Sequence, residues 1–238
     1  MLRNRVDGQP AFILHSYPFS ETSLIVEVFS RDFGRIALLA RGAKRPRSAL
    51  RGVLLAFQPL ELSWAGKGEV LTLMKAEWQG GQALLHGKAL FCGYYLNELL
   101  MTLLPREDAH KDLFDVYAKT LQYFAHELKE ADLRCFERAF LQELGYGLLL
   151  ERDCLGKKID HQAFYVYEIE RGPVRQRHNA GSSVFSVRGK TLLDLSRGDF
   201  SDQRSLAEAK HLMRILIAHY TGDRELETRK IFMELQEL

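Results

Sequence analysis

The hydrophobic period of this chain changes once, at Gly80-Gly81, and that change sets the fold class. Before it, apolar residues alternate or run in short β-branched and aromatic stretches. After it, they recur at three- and four-residue steps. A period of two buries one face of a strand, and a period near 3.6 buries one face of a helix. The expected fold is therefore α+β, with the strands first.

Five strands are expected before the break: Ala11 to Ser16, Thr22 to Ser30, Arg35 to Arg41, Leu60 to Trp64 and Glu69 to Trp78. Gly34 ends the turn Arg31-Asp32-Phe33-Gly34, where a short hairpin loop often needs φ > 0. Leu60, Leu62 and Trp64 alternate with Glu61 and Ser63, and Ala65-Gly66-Lys67-Gly68 makes a second tight turn. A small closed barrel is the economical way to hide the edges of so few strands. Beyond the break, Leu84 to Leu104 reads as a helix stopped by Pro105, followed by helices from Leu113 to Leu128 and Ala131 to Leu144. The last ends at Gly145-Tyr146-Gly147, where a glycine can take the left-handed cap. Residues 151–200 are less regular. Phe164 to Ile169 alternates like a strand, Gly172-Pro173 turns, and Ser182 to Arg188 is a pairing candidate. Helices from Ser205 to Tyr220 and Glu225 to Leu235 close the chain. The expected domains are a barrel over 1–80 and a helical domain over 81–238, with the irregular region at 151–200 inside it.

Charge is distributed unevenly between these regions. The net charge of the 238-residue chain is +2. Residues 1–80 hold 11 Lys+Arg against 7 Asp+Glu, net +4, and the remaining 22 against 24 give −2. Composition is otherwise that of an ordinary globular protein, with 46% hydrophobic and 27% charged residues, which argues against disorder and coiled-coil arrays. The three cysteines, Cys92, Cys135 and Cys154, have no C-x-x-C spacing, so neither a disulfide framework nor a zinc knuckle is expected. No apolar run reaches the roughly 20 residues of a membrane span, and Met1 to Asp7 leads into Gly8 and Pro10, not a signal core. A reduced, soluble, cytoplasmic protein is expected.

The strongest chemical signal is Arg35 to Arg51, which carries Arg35, Arg41, Lys44, Arg45, Arg47 and Arg51 without an acid. Gly42, Pro46 and Ser48 break any helix there, so the segment reads as a cationic loop between strands. Such a loop suits a phosphate backbone, which needs repeated point charges more than a shaped pocket. Charge alone is weakly specific and is also what a solvated loop carries. The barrel context favours nucleic acid, by fold-level analogy. Single-strand binding also uses base stacking, for which Phe19 and Phe33, beside turns, are the candidates. Phe29 and Trp64 occupy strand positions that point to the core.

Signals for catalysis are weak. Gly189-Lys190-Thr191 resembles the end of a phosphate-binding loop, but Val184 stands where that pattern needs glycine. Gly66-x-Gly68 has no βαβ unit around it. The histidines are scattered; His211 and His219 share a helix but not the four-residue step of a chelating pair. No serine or cysteine sits in a nucleophile elbow, and no metal or cofactor is expected.

An ordered set of short elements resembles the RecO family of bacterial repair and recombination mediators. They are Ser20-Glu21-Thr22-Ser23, Gly34, Ala40-Arg41-Gly42-Ala43, Phe57-Gln58-Pro59-Leu60, Tyr95-Leu96-Asn97-Glu98-Leu99-Leu100, Phe136-Glu137 leading to Leu144-Gly145-Tyr146, and Thr228-Arg229. The likeness spans nearly the whole chain. It implies an N-terminal OB-fold, a helical domain and, in many members, an inserted four-cysteine zinc module. Cys154 stands alone where that module would begin, so this chain resembles members without the metal. The resemblance implies a non-enzymatic protein that binds single- and double-stranded DNA and anneals complementary strands. It would help a recombinase replace single-strand-binding protein, working with RecR and in some bacteria RecF. A monomer in isolation, associated with the nucleoid during repair, is expected. It also implies that the helical domain engages the acidic tail of single-strand-binding protein. On the helix from Ala131 to Leu144, Arg134 and Arg138 are the candidates, four residues apart and off the apolar stripe of Leu133, Phe136, Phe140 and Leu144. The alternative there is a plain surface pair between Arg134 and Glu130. An RNA-binding adaptor on the same barrel is the alternative function; a cryptic nuclease or hydrolase would need a carboxylate cluster that the sequence does not offer.

Overall fold

The computed structural model describes residues 5–176, 185–222 and 226–236. Five strands, β1 (Arg5–Phe19), β2 (Ser23–Ser30), β3 (Gly34–Ala40), β4 (Leu60–Ala65) and β5 (Val70–Trp78), close a barrel in the order β1-β2-β3-β5-β4. A short helix, α1 (Leu50–Val53), lies between β3 and β4. Helices α2 (Gly87–Leu103), α3 (Lys111–His126) and α4 (Glu130–Glu143) follow. A three-stranded sheet then forms from β6 (Phe164–Glu168), β7 (Gly172–Arg175) and β8 (Ser186–Arg188). Helices α5 (Gly189–Arg197), α6 (Gln203–Tyr220) and α7 (Glu227–Gln236) complete the chain. This is the expected α+β fold with an N-terminal OB-type barrel.

β1 closes the barrel because its 15 residues are enough to pair twice. Its first half pairs with β4 and its second half with β2, both antiparallel. The register shifts between Val6 and Gln9 and again between Ile13 and His15. Such irregularities bend a strand and let it turn the corner between two partners. The β3–β5 pair is parallel and joins the two ends of the sheet. Val26, Val28, Ile36, Leu38, Leu62 and Trp64 fill the interior.

The Ala11–Leu14 stretch of β1, and β2, read as nearly continuous apolar runs because both of their faces are covered. Ala11 and Ile13 face the barrel core. Phe12 and Phe29 face outward onto α3, with their rings 5.4 Å from that of Phe114. Asn97 of α2 ties the layers together: its amide donates to the Leu14 carbonyl at 2.8 Å and accepts from the buried Tyr117 hydroxyl at 2.6 Å. Its neighbour Glu98 accepts the Glu227 and Thr228 backbone N–H groups at 2.8 and 3.0 Å. A carboxylate there satisfies orphan donors at the start of α7. Gly34 has φ +65°, as its turn requires, and a Cβ on it would fall 1.9 Å from the Asp108 carbonyl oxygen.

The chain forms two compact units, one from the barrel through α3 together with α7, the other from Lys129 through α6. In the second, α4 packs on α5 and α6, and the order β7-β6-β8 makes β7 an edge strand. Gly172 and Pro173, expected as a turn, belong to β7; the turn falls just before them, with Glu170 at φ +66°. An edge strand tolerates a proline that cannot donate to the ladder. Helix α5 was not expected, since nine residues are too few for a clear helical period. Ser186 to Arg188 pairs with β6, whereas 182–184 of that expected strand lie outside the described residues, as do Glu225 and His178.

Candidate nucleic-acid interface

β3 ends at Ala40 and the chain turns repeatedly up to α1. Arg45 N–H donates to the Gly42 carbonyl at 3.1 Å and Ser48 N–H to that of Arg45 at 3.0 Å. Two further bonds fasten the loop to the β1–β2 turn: Lys44 N–H to the Thr22 carbonyl at 2.8 Å and Gly42 N–H to Ser23 Oγ at 3.3 Å. Ala43 is buried in the barrel core. The segment is thus a hydrogen-bonded knuckle anchored by the buried Ala43, with Leu50 packed partly buried on the same core, and its cations stand outward. Arg41, Lys44, Arg45, Arg47 and Arg51 are all exposed, and none has a side-chain hydrogen bond or ion pair among the described residues. Arg51 sits on α1, a helical turn the sequence did not lead us to expect.

Arg35 is different. It lies at the opposite end of β3, roughly 20 Å of strand from the loop. Its side chain is 15% exposed, its Nη1 donates to the Met101 carbonyl at 3.0 Å, and Glu27 lies 4.0 Å away. Burial lowers its pKa. Glu27, itself buried, also pairs with Arg106. Arg35 is a strut between the barrel wall and the end of α2, and the outward patch holds five of the six expected cations.

The aromatic candidates separate in the same way. Phe19, 47% exposed, ends β1 beside the turn that holds Lys44. Phe33 lies at the far end of β3, edge-on to Trp64 at 5.4 Å. Phe29 and Trp64 are buried, as expected. Trp78, which sequence reasoning passed over, ends β5 and is 57% exposed, with its indole N–H held by Gln58 Oε1 at 3.0 Å. The signal available for it was its place at a strand end, just before the two glycines.

On α4 the structure corrects the expected surface. Arg134 is 4% exposed and pairs with Glu137 at 3.0 Å, not with Glu130, which instead meets Lys210 at 2.9 Å. Arg138 donates to the Ser196 carbonyl at 3.0 Å. Helix α4 presents no exposed residue between Glu130 and Leu141. The apolar stripe is real, with Phe136 and Phe140 fully buried, but the arginine face is covered too.

Among the described residues no group of three or more His, Cys, Asp and Glu side chains is placed to hold a metal. None of the three cysteines is in a disulfide. The turn at Cys154 is closed by the loop's own buried carboxylate: Asp153 Oδ1 accepts the Leu155 and Lys157 N–H groups, each at 2.9 Å. Gly189-Lys190-Thr191 begins α5 and is structural. A Cβ on Gly189 would fall 2.0 Å from the Asp160 carbonyl oxygen, Lys190 pairs with Asp194, and Thr191 donates to Glu208 at 2.6 Å. No described helix is long and apolar enough to cross a membrane.

Comparison with known proteins covers almost the whole chain. The family model described as Recombination protein O N terminal matches residues 7–81, and Recombination protein O C terminal matches residues 85–230. A protein of Dechloromonas aromatica named DNA repair protein RecO is 68% identical over 241 residues, covering 100% of this chain and 99% of its own. Proteins of the same name from Aromatoleum aromaticum and an Azoarcus species are 54% and 52% identical, each matching 99% of its own length and 99% and 100% of this chain.

Proposed function

The chain belongs to the RecO family of DNA repair proteins, and from that premise we propose that it is a non-catalytic recombination mediator. It binds single- and double-stranded DNA, anneals complementary strands, and helps a recombinase load onto strands coated by single-strand-binding protein. The observation that carries this reading is the set of five exposed cations on the knuckle between β3 and β4, none of which has a side-chain partner among the described residues. A protein cation already paired with a carboxylate gains little by meeting a phosphate. An unpaired one gains the entropy of the counterions it releases. Bringing two polyanionic strands together needs that neutralisation and no catalytic base. In this reading residues 1–80 supply DNA binding and the remainder supplies contacts to RecR, to RecF where present, and to the acidic tail of single-strand-binding protein. That tail is not assigned to Arg134 or Arg138, whose guanidinium groups are committed inside the second unit. The protein acts as a monomer before it meets partners, in the cytoplasm at the nucleoid.

The test is annealing of complementary strands pre-coated with single-strand-binding protein. The protein should speed annealing of coated strands, and replacement of Arg41, Lys44, Arg45 and Arg47 by Ala should abolish that effect. Equal annealing by the substituted protein would refute the reading. So would a preference for RNA over DNA strands of the same sequence, which would point to the adaptor alternative.

A further inference from the structure

Beside the cationic knuckle lies a pocket of about 310 Å³ bounded by Leu24, Ala43, Lys44, Leu50, Arg51 and Leu54. Its walls are aliphatic. Ala43 and Leu54 belong to the buried barrel core, and Leu24 and Leu50 pack partly buried against it. The two polar residues are both cations, both exposed, and neither has a side-chain partner among the described residues. The pocket is at the small end of the range for ligand clefts, with room for one flat group and not for a stack of several.

We propose that this pocket receives one unstacked base of a single strand while Lys44 and Arg51 hold the phosphates flanking it. The inference rests on the DNA-binding reading above and deepens it. A base has apolar faces that leucine side chains can cover, and it arrives attached to phosphates, which matches apolar walls with cations at the rim. An acidic peptide with an apolar end would match the walls as well. The charge continues beyond the rim, however, to Arg41, Arg45 and Arg47, with no acid anywhere between Arg35 and Arg51. A row of that length fits a polyanion with a charge at every residue. In a duplex the base is paired and stacked, and withdrawing it costs a few kcal/mol. The pocket therefore biases the barrel toward single strands, which the cations alone would not do.

The experiment compares binding of a thymidine oligonucleotide with an abasic strand of equal length and charge, at several salt concentrations. The unsubstituted protein should bind the thymidine strand about tenfold tighter, toward the low end of what one held base contributes. Leu50→Ala should remove that preference while leaving salt dependence and duplex affinity unchanged, and Leu24→Ala, at another lining side chain, should do the same. Equal binding of the two strands with salt dependence intact overturns the pocket and leaves the DNA-binding reading standing. Absence of salt dependence in the unsubstituted protein fails that reading itself. A preference that survives both leucine substitutions but is lost in Phe19→Ala places the base on Phe19 and overturns the proposal. So does an acidic, phenylalanine-ended peptide whose binding is lost in Leu50→Ala while the thymidine preference persists.

Discussion

The knuckle at 41–51 and helix α4 are both arginine-bearing, and both read from sequence as binding surfaces, yet the fold treats them oppositely. On the knuckle, tight turns point five cations into solvent and one alanine inward. On α4, packing covers the arginine face as well as the apolar stripe, and each guanidinium finds a partner inside its own unit. Exposed unpaired charge is available to a ligand. A buried pair is already committed, and separating it leaves an uncompensated charge. The number of arginines in a segment therefore says little about binding until their partners are known.

The largest expected effect tests the committed side of this contrast. Arg134→Ala should cost about 3–5 kcal/mol of stability by breaking the buried ion pair with Glu137. Denaturant unfolding would show it, and DNA affinity per folded molecule should hold. A double substitution, Arg134→Met with Glu137→Leu, should recover most of the loss. If Arg134→Ala unfolds at the same denaturant concentration as the parent protein, the arginine face of α4 is not buried.

The converse effect comes next. With five phosphate contacts the single-strand salt slope should be roughly −3.5, so affinity falls about a hundredfold between about 50 and 200 mM salt. Replacing Arg41, Lys44, Arg45 and Arg47 together by Ala should reduce the slope to roughly −0.7. Stability should change by no more than about 0.5 kcal/mol for each exposed site. A quadruple variant that keeps its slope would place the DNA elsewhere.

A sharper pair lies within the first unit. Arg35→Ala should cost about 1.5–3 kcal/mol, as expected for a partly buried hydrogen bond from a charged group, with the salt slope unchanged. Arg51→Ala should do the reverse, lowering the slope by about 0.7 at nearly constant stability. Matching behaviour of the two arginines would dissolve the distinction between strut and patch. The smallest effect belongs to Arg138→Ala, which removes one half-buried bond to the Ser196 carbonyl and should cost about 1.5 kcal/mol, the low end for a bond from a charged group. Titration of the acidic tail peptide should give the same affinity before and after that change; a marked loss would return α4 to the list of binding surfaces.

Much of the fold was legible in the chain because its signals are local. Gly34, the alternation of Leu60, Leu62 and Trp64, and the stop at Pro105 each act within a few residues, and each lies where the sequence places it. Short elements were less legible. α5 spans only nine residues, and β7 begins at the Gly172-Pro173 that sequence alone reads as a turn. The candidate site was half legible. The cationic run and Phe19 could be named from sequence, whereas the exposure of Trp78 depends on the barrel around it.

The sequence by itself determined that five strands precede a set of helices, and that positive charge concentrates between the third strand and the fourth. Period, turn chemistry and charge are properties of neighbouring residues, so no distant contact is needed to read them. Only the tertiary structure decided which arginines are free. Arg35 is held by Met101, 66 residues away, and Arg138 by Ser196, 58 residues away. Even Arg134, whose partner is one helical turn along the chain, is removed from solvent by the packing of α4 in its unit. A guanidinium is available only if the fold brings no carboxylate, carbonyl or covering layer to it, and those groups come from parts of the chain that local sequence does not see.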